Sequence, residues 1–269
     1  MSLTLLILIA IVQGLTEFLP VSSSAHLILA PLAFGVEPQS VLIDVMAHLG
    51  SLLAVLVYFR KDIAGVIMGV FGWFTGRMTQ GGRLALLVLI ATPPVMIVAA
   101  ILYFSGWLDA VRSPAIVAAA TLVFALPLWL ADKYGARVKS VETLTYKDAA
   151  LIGLAQAVAM IPGASRSGLM MTAARILGAE RSAAARFAML TSIPVIAAFG
   201  LQSGIDLARG EAPGASLGDG LIAVGLSFAA SLVAIHLLLK LVDRFGFLPF
   251  VIYRIALAFA ILAVIVWVV

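Results

Sequence analysis

Cysteine is absent from the 269 residues, which removes a disulfide framework, a thiol nucleophile and any cysteine-ligated metal centre. Charge is nearly as scarce. Only 11% of residues are Asp, Glu, Lys or Arg against 63% hydrophobic, and the mean hydropathy is +1.17. No water-soluble domain of this size has that balance, so the chain reads as an all-α polytopic membrane protein. The short alternating segments of a transmembrane β-barrel are missing too, because the apolar runs are continuous and long. The net charge of +4 is small and concentrated in a few loops. Membrane topology produces that pattern, and it gives no reason to expect nucleic acid as a partner. The opening MSLTLLILIAIV lacks a basic region and a small-residue cleavage site, which argues against a removable signal peptide.

What remains is hydrocarbon interrupted at two places. Residues 3–12 are apolar, yet only about half the ~20 residues a span requires. They run into Gln13, Glu17, Pro20 and a serine triplet. A segment of this kind is expected to enter the bilayer, break at the proline and return, over roughly 3–33, because irregular backbone survives at membrane depth only when buried in protein or lining a wet cavity. Spans are expected at about 41–59, 84–104 and 114–131, with Pro93-Pro94 breaking the second early. The loop 60–83 between the first two, with Gly69, Gly72 and Trp73, is expected to lie partly on the interface. After a polar loop from Asp132 to Asp148 the pattern restarts. A short apolar run with Gln156 stops at Pro162-Gly163, a helical return follows, and spans are expected at about 187–205, 219–239 and 250–269.

Each half therefore reads as one re-entrant hairpin plus three transmembrane helices, residues 1–131 and 149–269. Three spans per half invert the second repeat relative to the first. Aligning Gln13–Pro20 with Gln156–Pro162 places Ser23 opposite Ser165. The basic loops 60–83, 132–148 and 240–249 fall on one side, assigned to the cytoplasm, with 105–113 and 206–219 on the other. Two broken hairpins entering from opposite faces meet near the midplane, and there the functional site is expected.

The chemistry follows from the residue types at that meeting point. Gln13 and Glu17, four apart, share a helix face. Glu17 is fitted to accept a proton, hold a divalent cation, or both, and a carboxylate so deep in apolar sequence marks function. Ser22, Ser23 and Ser24 supply hydroxyls, although a serine triplet after a proline is also a common helix cap. His26 titrates near neutrality. In the partner stretch, Gly163 and Ala164 precede a helix start whose first amides form an anion site. Arg166 adds a planar fork for phosphate oxygens, flanked by Ser165 and Ser167. Mg²⁺ or Ca²⁺ bridging Glu17 and phosphate would supply further charge. An acid, a hydroxyl, a histidine and an anion cradle are the parts of a phosphoryl-transfer site. Other polar residues read as peripheral. His48 and Asp44, at a span's start, either only line the cavity or, for His48, reach the substrate, and His236, without polar company, is structural. Arg254 snorkels to the interface. Arg175, Arg181 and Arg186 anchor a membrane face, and Gly65 with Gly69 packs helices.

At QGLTEFLPVSSSAH (13–26), DVMAHLGSLLAVLVYFR (44–60), PGASRSG (162–168) and FLPFVIYRI (247–255) the chain resembles the bacterial undecaprenyl-pyrophosphate phosphatase family, known through bacitracin resistance. The PSGH motif of the other lipid-phosphatase superfamily is absent. The resemblance implies a multi-pass enzyme of the bacterial inner membrane that hydrolyses undecaprenyl pyrophosphate to the monophosphate and recycles the carrier lipid of peptidoglycan synthesis. It also implies an inverted-repeat fold, a divalent-metal requirement and a site facing the periplasm. Glu17 matches the family's essential acid, His26 and Ser22/Ser23 its histidine and serines, and Arg166 with Ser165 and Ser167 its second motif. Two positions depart from the family pattern: Gln13, where a second glutamate is frequent, and Met170, where a threonine is frequent.

The expected reaction has Ser23, or Ser22 as second choice, attacking the terminal phosphorus while His26 or Glu17 takes the proton. Attack by an activated water uses the same residues. The expected partners are the polyprenyl pyrophosphate substrate and bilayer lipids, with a homodimer compatible. The rival reading is a transporter or flippase of phosphorylated polyprenyl lipid, since inverted repeats with broken helices are also transporter architecture.

Overall fold

The computed structural model describes residues 2–34, 39–106, 113–209 and 216–268. With no water to satisfy exposed amides inside a bilayer, an apolar chain must close its hydrogen bonds within each segment, and the described residues do so almost wholly as helix. The first half contains α1 (Leu3–Thr16), α2 (Ser23–Phe34), α3 (Val41–Tyr58), α4 (Arg60–Phe74), α5 (Gln80–Ala91), α6 (Pro93–Ser105), α7 (Pro114–Val123) and α8 (Ala125–Tyr134). The second half contains α9 (Tyr146–Val158), α10 (Arg166–Ile176), α11 (Arg181–Ala208), α12 (Leu217–Phe245) and α13 (Leu248–Val268).

Six helical stretches are long and apolar enough to cross a membrane: Val41–Tyr58, Gln80–Ser105, Pro114–Tyr134, Arg181–Ile205, Leu217–Phe245 and Leu248–Trp267. All six expected spans are present, most with longer ends than hydropathy alone indicates. The second is two helices, α5 and α6, meeting at Thr92 because Pro93 brings no N–H to continue the ladder. The third breaks at Phe124. The expected loops around Asp109, Arg112 and Glu211 lie outside the described residues.

Residues 60–74 correct the expectation of an interfacial loop. They form α4, which folds back on α5 through backbone contact. A Cβ on Gly69 would stand 2.0 Å from the Gly82 nitrogen, and one on Gly81 would stand 1.9 Å from the Gly65 carbonyl oxygen. Only glycine permits that approach, as in small-residue helix pairs generally.

Two clusters mark the two ends of the bundle. At one end Leu6, Ile9 and Ala10 of α1 pack with Ile43 and Ala47 of α3 and Ala223 of α12. At the other end the basic loops gather. Arg83 donates to the carbonyls of Glu142 and Leu144. Arg186 pairs with Asp62 and Glu142, and Arg181 holds Asp132 with two bonds of 2.7 and 2.8 Å. Arg175 is fully buried against the carbonyls of Ala136, Ala179, Gly135 and Asp132. The three arginines read as membrane anchors are therefore an internal clasp, which follows from the cost of leaving a buried charge unpaired. His236 likewise has company, its Nδ1 standing 3.3 Å from the Tyr58 hydroxyl.

Between the ends, α3 and α12 pack closely with α1. A Cβ on Gly14 would meet the Ser227 carbonyl at 2.5 Å, and one on Gly50 the Val224 carbonyl at 2.4 Å. A buried hydroxyl ladder runs through this seam. Ser227 donates to Ala47, Ser231 to Gly14, and Ser51 lies 3.0 Å from both serines. In a membrane, where apolar burial between helices contributes little, close packing and interhelical hydrogen bonds supply the association.

Candidate active site

Two turns interrupt the helices at mid-bundle, residues 17–22 between α1 and α2 and 159–165 between α9 and α10. Each ends on a serine at positive φ, Ser22 at 71° and Ser165 at 70°, the only such non-glycine residues among those described. Each serine Oγ then accepts an N–H three residues on, Ala25 at 3.4 Å and Gly168 at 3.2 Å. The cap bond offsets the cost of an unusual backbone conformation. By this geometry Ser22, rather than Ser23, is the counterpart of Ser165. Nine residues separate Gln13 from Ser22 and Gln156 from Ser165, so the two glutamines correspond as well. Ser23 then corresponds to Arg166 and Ser24 to Ser167.

The turns are stitched to each other. The Gly163 amide donates to Ser24 Oγ at 3.2 Å, and Ser167 Oγ donates to the Leu19 carbonyl at 2.9 Å. Gly163 has φ +93°, and a Cβ there would strike the Val117 carbonyl at 2.3 Å. With Gly163 and Ala164 both donating within the protein, the amides left over at the start of α10 are those of Ser165, Arg166 and Ser167, as at any helix N-terminus. Ser24 Oγ lies 3.1 Å from Ser22 Oγ, and Ser167 Oγ lies 3.3 Å from Ser165 Oγ.

Glu17 sits between the two helix starts, buried at 7% exposure. Its Oε1 pairs with the Arg166 guanidinium. Its Oε2 accepts from Gln13 Nε2 at 2.8 Å and from Ser23 Oγ at 2.9 Å. His48, from α3, brings Nε2 to 3.6 Å from the same oxygen. The expected i, i+4 pairing of Gln13 with Glu17 is thus present, and Glu17, Ser23, Arg166, Gln13 and His48 converge. His26 does not join them. Its Nδ1 is 2.7 Å from the Ser22 carbonyl and its Nε2 2.6 Å from the Tyr253 hydroxyl, with the two rings stacked. A carbonyl only accepts, so Nδ1 carries a proton, and the neutral ring takes the tyrosine proton on Nε2.

Arg254 corrects the expectation of snorkelling. It is fully buried and donates to the carbonyls of Thr121, Ala164 and Gly163 at 3.1, 3.0 and 3.2 Å, with Ala120 at 3.4 Å. It therefore holds the Gly163–Ala164 turn from behind. Thr121 adds a hydroxyl bond to the Gly163 carbonyl at 3.3 Å. Tyr253 and Thr121 carry no role in the sequence reading and Arg254 only that of an interface anchor; the FLPFVIYRI stretch is the one signal at Tyr253 and Arg254.

The chain matches the family model described as bacitracin resistance protein BacA over residues 6–260. It is 61% identical over 264 residues to the undecaprenyl-diphosphatase of Maricaulis maris (strain MCS10), covering 97% of this chain and 98% of that one. It is 46% identical over 266 residues to the undecaprenyl-diphosphatase of Ruegeria pomeroyi, covering 98% and 99%. A family match over this length, joined to full-length relatives, places the chain in the bacitracin resistance protein BacA family.

Proposed function

We propose that this protein hydrolyses undecaprenyl diphosphate to undecaprenyl phosphate and inorganic phosphate at the Glu17 site. The observation that carries the reading is Ser23 Oγ donating to Glu17 Oε2 at 2.9 Å while Arg166 holds Oε1. A hydroxyl nucleophile, its base and a cationic fork are assembled between two helix starts. Both helix N-termini direct partial positive charge at the same point, which suits a ligand with two linked phosphates. The names of the full-length relatives agree with it.

In the proposed reaction the diphosphate competes with Glu17 for Arg166, which turns to the phosphoryl oxygens. Ser23 Oγ bonds to the terminal phosphorus as its proton passes to Glu17. The bridging P–O bond breaks, and undecaprenyl phosphate leaves. Glu17 gives that proton to the departing undecaprenyl phosphate, takes another from the attacking water, and passes it to Ser23 Oγ as the serine P–O bond breaks and inorganic phosphate is released. Geometry favours Glu17 over His26 as the base, since both His26 nitrogens are occupied elsewhere. A carrier would need the amides and Arg166 but not a serine bonded to a buried carboxylate, so the transporter reading gains nothing here.

A divalent cation fits this site. Among the described residues no three of His, Asp and Glu converge. However, Gln13 Oε1 is buried without a donor, beside Glu17. Glu17 and the Gln13 amide oxygen would hold Mg²⁺ or Ca²⁺, with phosphate oxygens and water completing the shell. Bound there, the ion would neutralise phosphate charge.

The same proposal includes the membrane arrangement. The α1–α2 and α9–α10 units are read as re-entrant hairpins of two inverted repeats. Contacts support this: α1 packs on α12, the second span of the other half, and α9 packs on α5 and α6, the second span of the first half. The end with the arginine clasp is assigned to the cytoplasm, and the site opens to the periplasmic side of the inner membrane.

The test is phosphate release from undecaprenyl or farnesyl diphosphate by detergent-purified protein, with and without Mg²⁺ or Ca²⁺. Cation-dependent release is expected, with Arg166→Ala slower by about 10²–10³-fold, the worth of a charge-stabilising donor. Absence of release from folded protein would contradict the reading.

A further inference from the structure

We infer that His48 is a ligand of the cation at Glu17 and that its nitrogen tilts the site toward manganese over calcium; this rests on the cation reading above. His48 Nδ1 lies 2.7 Å from the Asp44 carbonyl oxygen. That oxygen only accepts, so Nδ1 carries a proton and Nε2 is the nitrogen turned toward the site. Nε2 faces Glu17 Oε2 across 3.6 Å. This gap is too long for a hydrogen bond, whereas a charge-assisted one closes to about 2.7–2.9 Å. Phe199, edge-on with ring centroids 5.5 Å apart, packs against the ring.

The carboxamide of Gln13 repeats the imbalance. Its Nε2 is spent on Glu17 Oε2, and its Oε1 is buried with no donor. His48 Nε2, beyond hydrogen-bonding distance of Glu17, and Gln13 Oε1, buried without a donor, thus flank one carboxylate oxygen. A cation answers both. The Nδ1–H to backbone carbonyl bond is also the usual means by which a metal-binding histidine is oriented, with Nε2 left for the metal. Calcium and magnesium prefer oxygen throughout, whereas imidazole suits transition metals. A site of one carboxylate, one amide oxygen and one imidazole therefore ranks Mn²⁺ above Ca²⁺.

The experiment is Mn²⁺ titration of the purified protein, read by the loss of the free-ion EPR signal, followed by electron spin-echo measurement of ¹⁴N coupling on the bound ion. The wild-type protein is expected to bind Mn²⁺ with imidazole ¹⁴N modulation, and Ca²⁺ to displace it only in large excess. Outer-sphere partners alone change metal affinity by about 10–100-fold, so His48→Gln is expected to weaken binding at least tenfold and abolish the modulation. His26→Gln is expected to retain the modulation. Bound Mn²⁺ without ¹⁴N modulation in the wild type, which needs no variant to fold, overturns the His48 assignment and leaves the Glu17 cation site standing. Modulation that survives His48→Gln, or equal displacement by Ca²⁺, overturns it equally. No Mn²⁺ binding at all removes the cation reading together with this one.

Discussion

Glu17 accepts from three side chains that three different helices deliver: Gln13 from α1, Ser23 from α2 and Arg166 from α10. In the proposed reaction it receives the serine proton along a hydrogen bond that is already formed. Glu17→Gln keeps the shape and removes the charge. It is expected to slow phosphate release by about 10²–10⁴-fold, the range for a lost general base. Steady-state release beside a folding control by size-exclusion chromatography checks it, and a loss under tenfold would remove Glu17 from that role. Arg254 stands behind the site in a different capacity. Its removal leaves the carbonyls of Thr121 and Ala164 buried without the donors they have here, and Gly163 with only the Thr121 hydroxyl, at about 1–3 kcal/mol for each unsatisfied group. Arg254→Leu is therefore expected to lower the melting temperature clearly, and an unchanged melting curve would contradict the strut role. The identity of Glu17, Ser23 and Arg166 was legible because polar residues stand out in membrane-grade sequence. Arg254 stands out equally, yet its role was not legible. The carbonyls it serves lie 91 and 133 residues away in the chain, and nothing local announces them.

At the level of elements, the two helix interruptions at 17–22 and 159–165 were readable from proline placement and from runs too short to span. Their exact correspondence was not. Aligning prolines pairs Ser23 with Ser165, whereas the backbone pairs Ser22 with Ser165, since the positive φ and the cap define equivalence and neither has a sequence signature. The helix α4 was missed although Gly65 with Gly69 reads as helix packing, because the receiving pair Gly81 and Gly82 is evident only once both helices are seen. Entry into α9 is secured by a capping box in which the Thr145 hydroxyl accepts from Asp148 N–H and Asp148 accepts from Thr145 N–H. Lys139 adds an ion pair at 2.9 Å. Burial works to raise the Asp148 carboxyl, but the Thr145 amide and Lys139 outweigh it and hold it below the usual carboxylate range. A carboxyl depressed in the folded state contributes stability above its unfolded value, about 3.9, and loses it as pH falls through the folded value. Asp148→Asn is thus expected to cost about 1 kcal/mol at pH 7, with the melting-temperature gap from wild type constant down to about pH 5 and narrowing below about 4. A gap independent of pH would contradict the charged cap.

For the whole molecule, the opposed placement of two clusters sets the geometry. The α1 contacts with Ile43 and Ala223 lie at one end and the arginine clasp at the other, and between them the two turns bring Ser24 to Gly163 and Ser167 to Leu19. The absence of cysteine makes the interior directly testable. Ser51→Cys with Ser227→Cys, whose hydroxyl oxygens are 3.0 Å apart, is expected to form a disulfide between α3 and α12 under mild oxidation, read as a reduction-sensitive gel shift after cleavage between them. Persistent free thiols would contradict that packing. The central claim is that Ser23, rather than its neighbours, receives the phosphoryl group. It is tested most directly by phosphate release from Ser22→Ala, Ser23→Ala and Ser24→Ala compared under identical conditions. The account predicts that Ser23→Ala alone abolishes turnover, while Ser22→Ala and Ser24→Ala, which loosen a cap and a stitch, retain measurable rates. Full activity in Ser23→Ala would contradict it and transfer the attack to water.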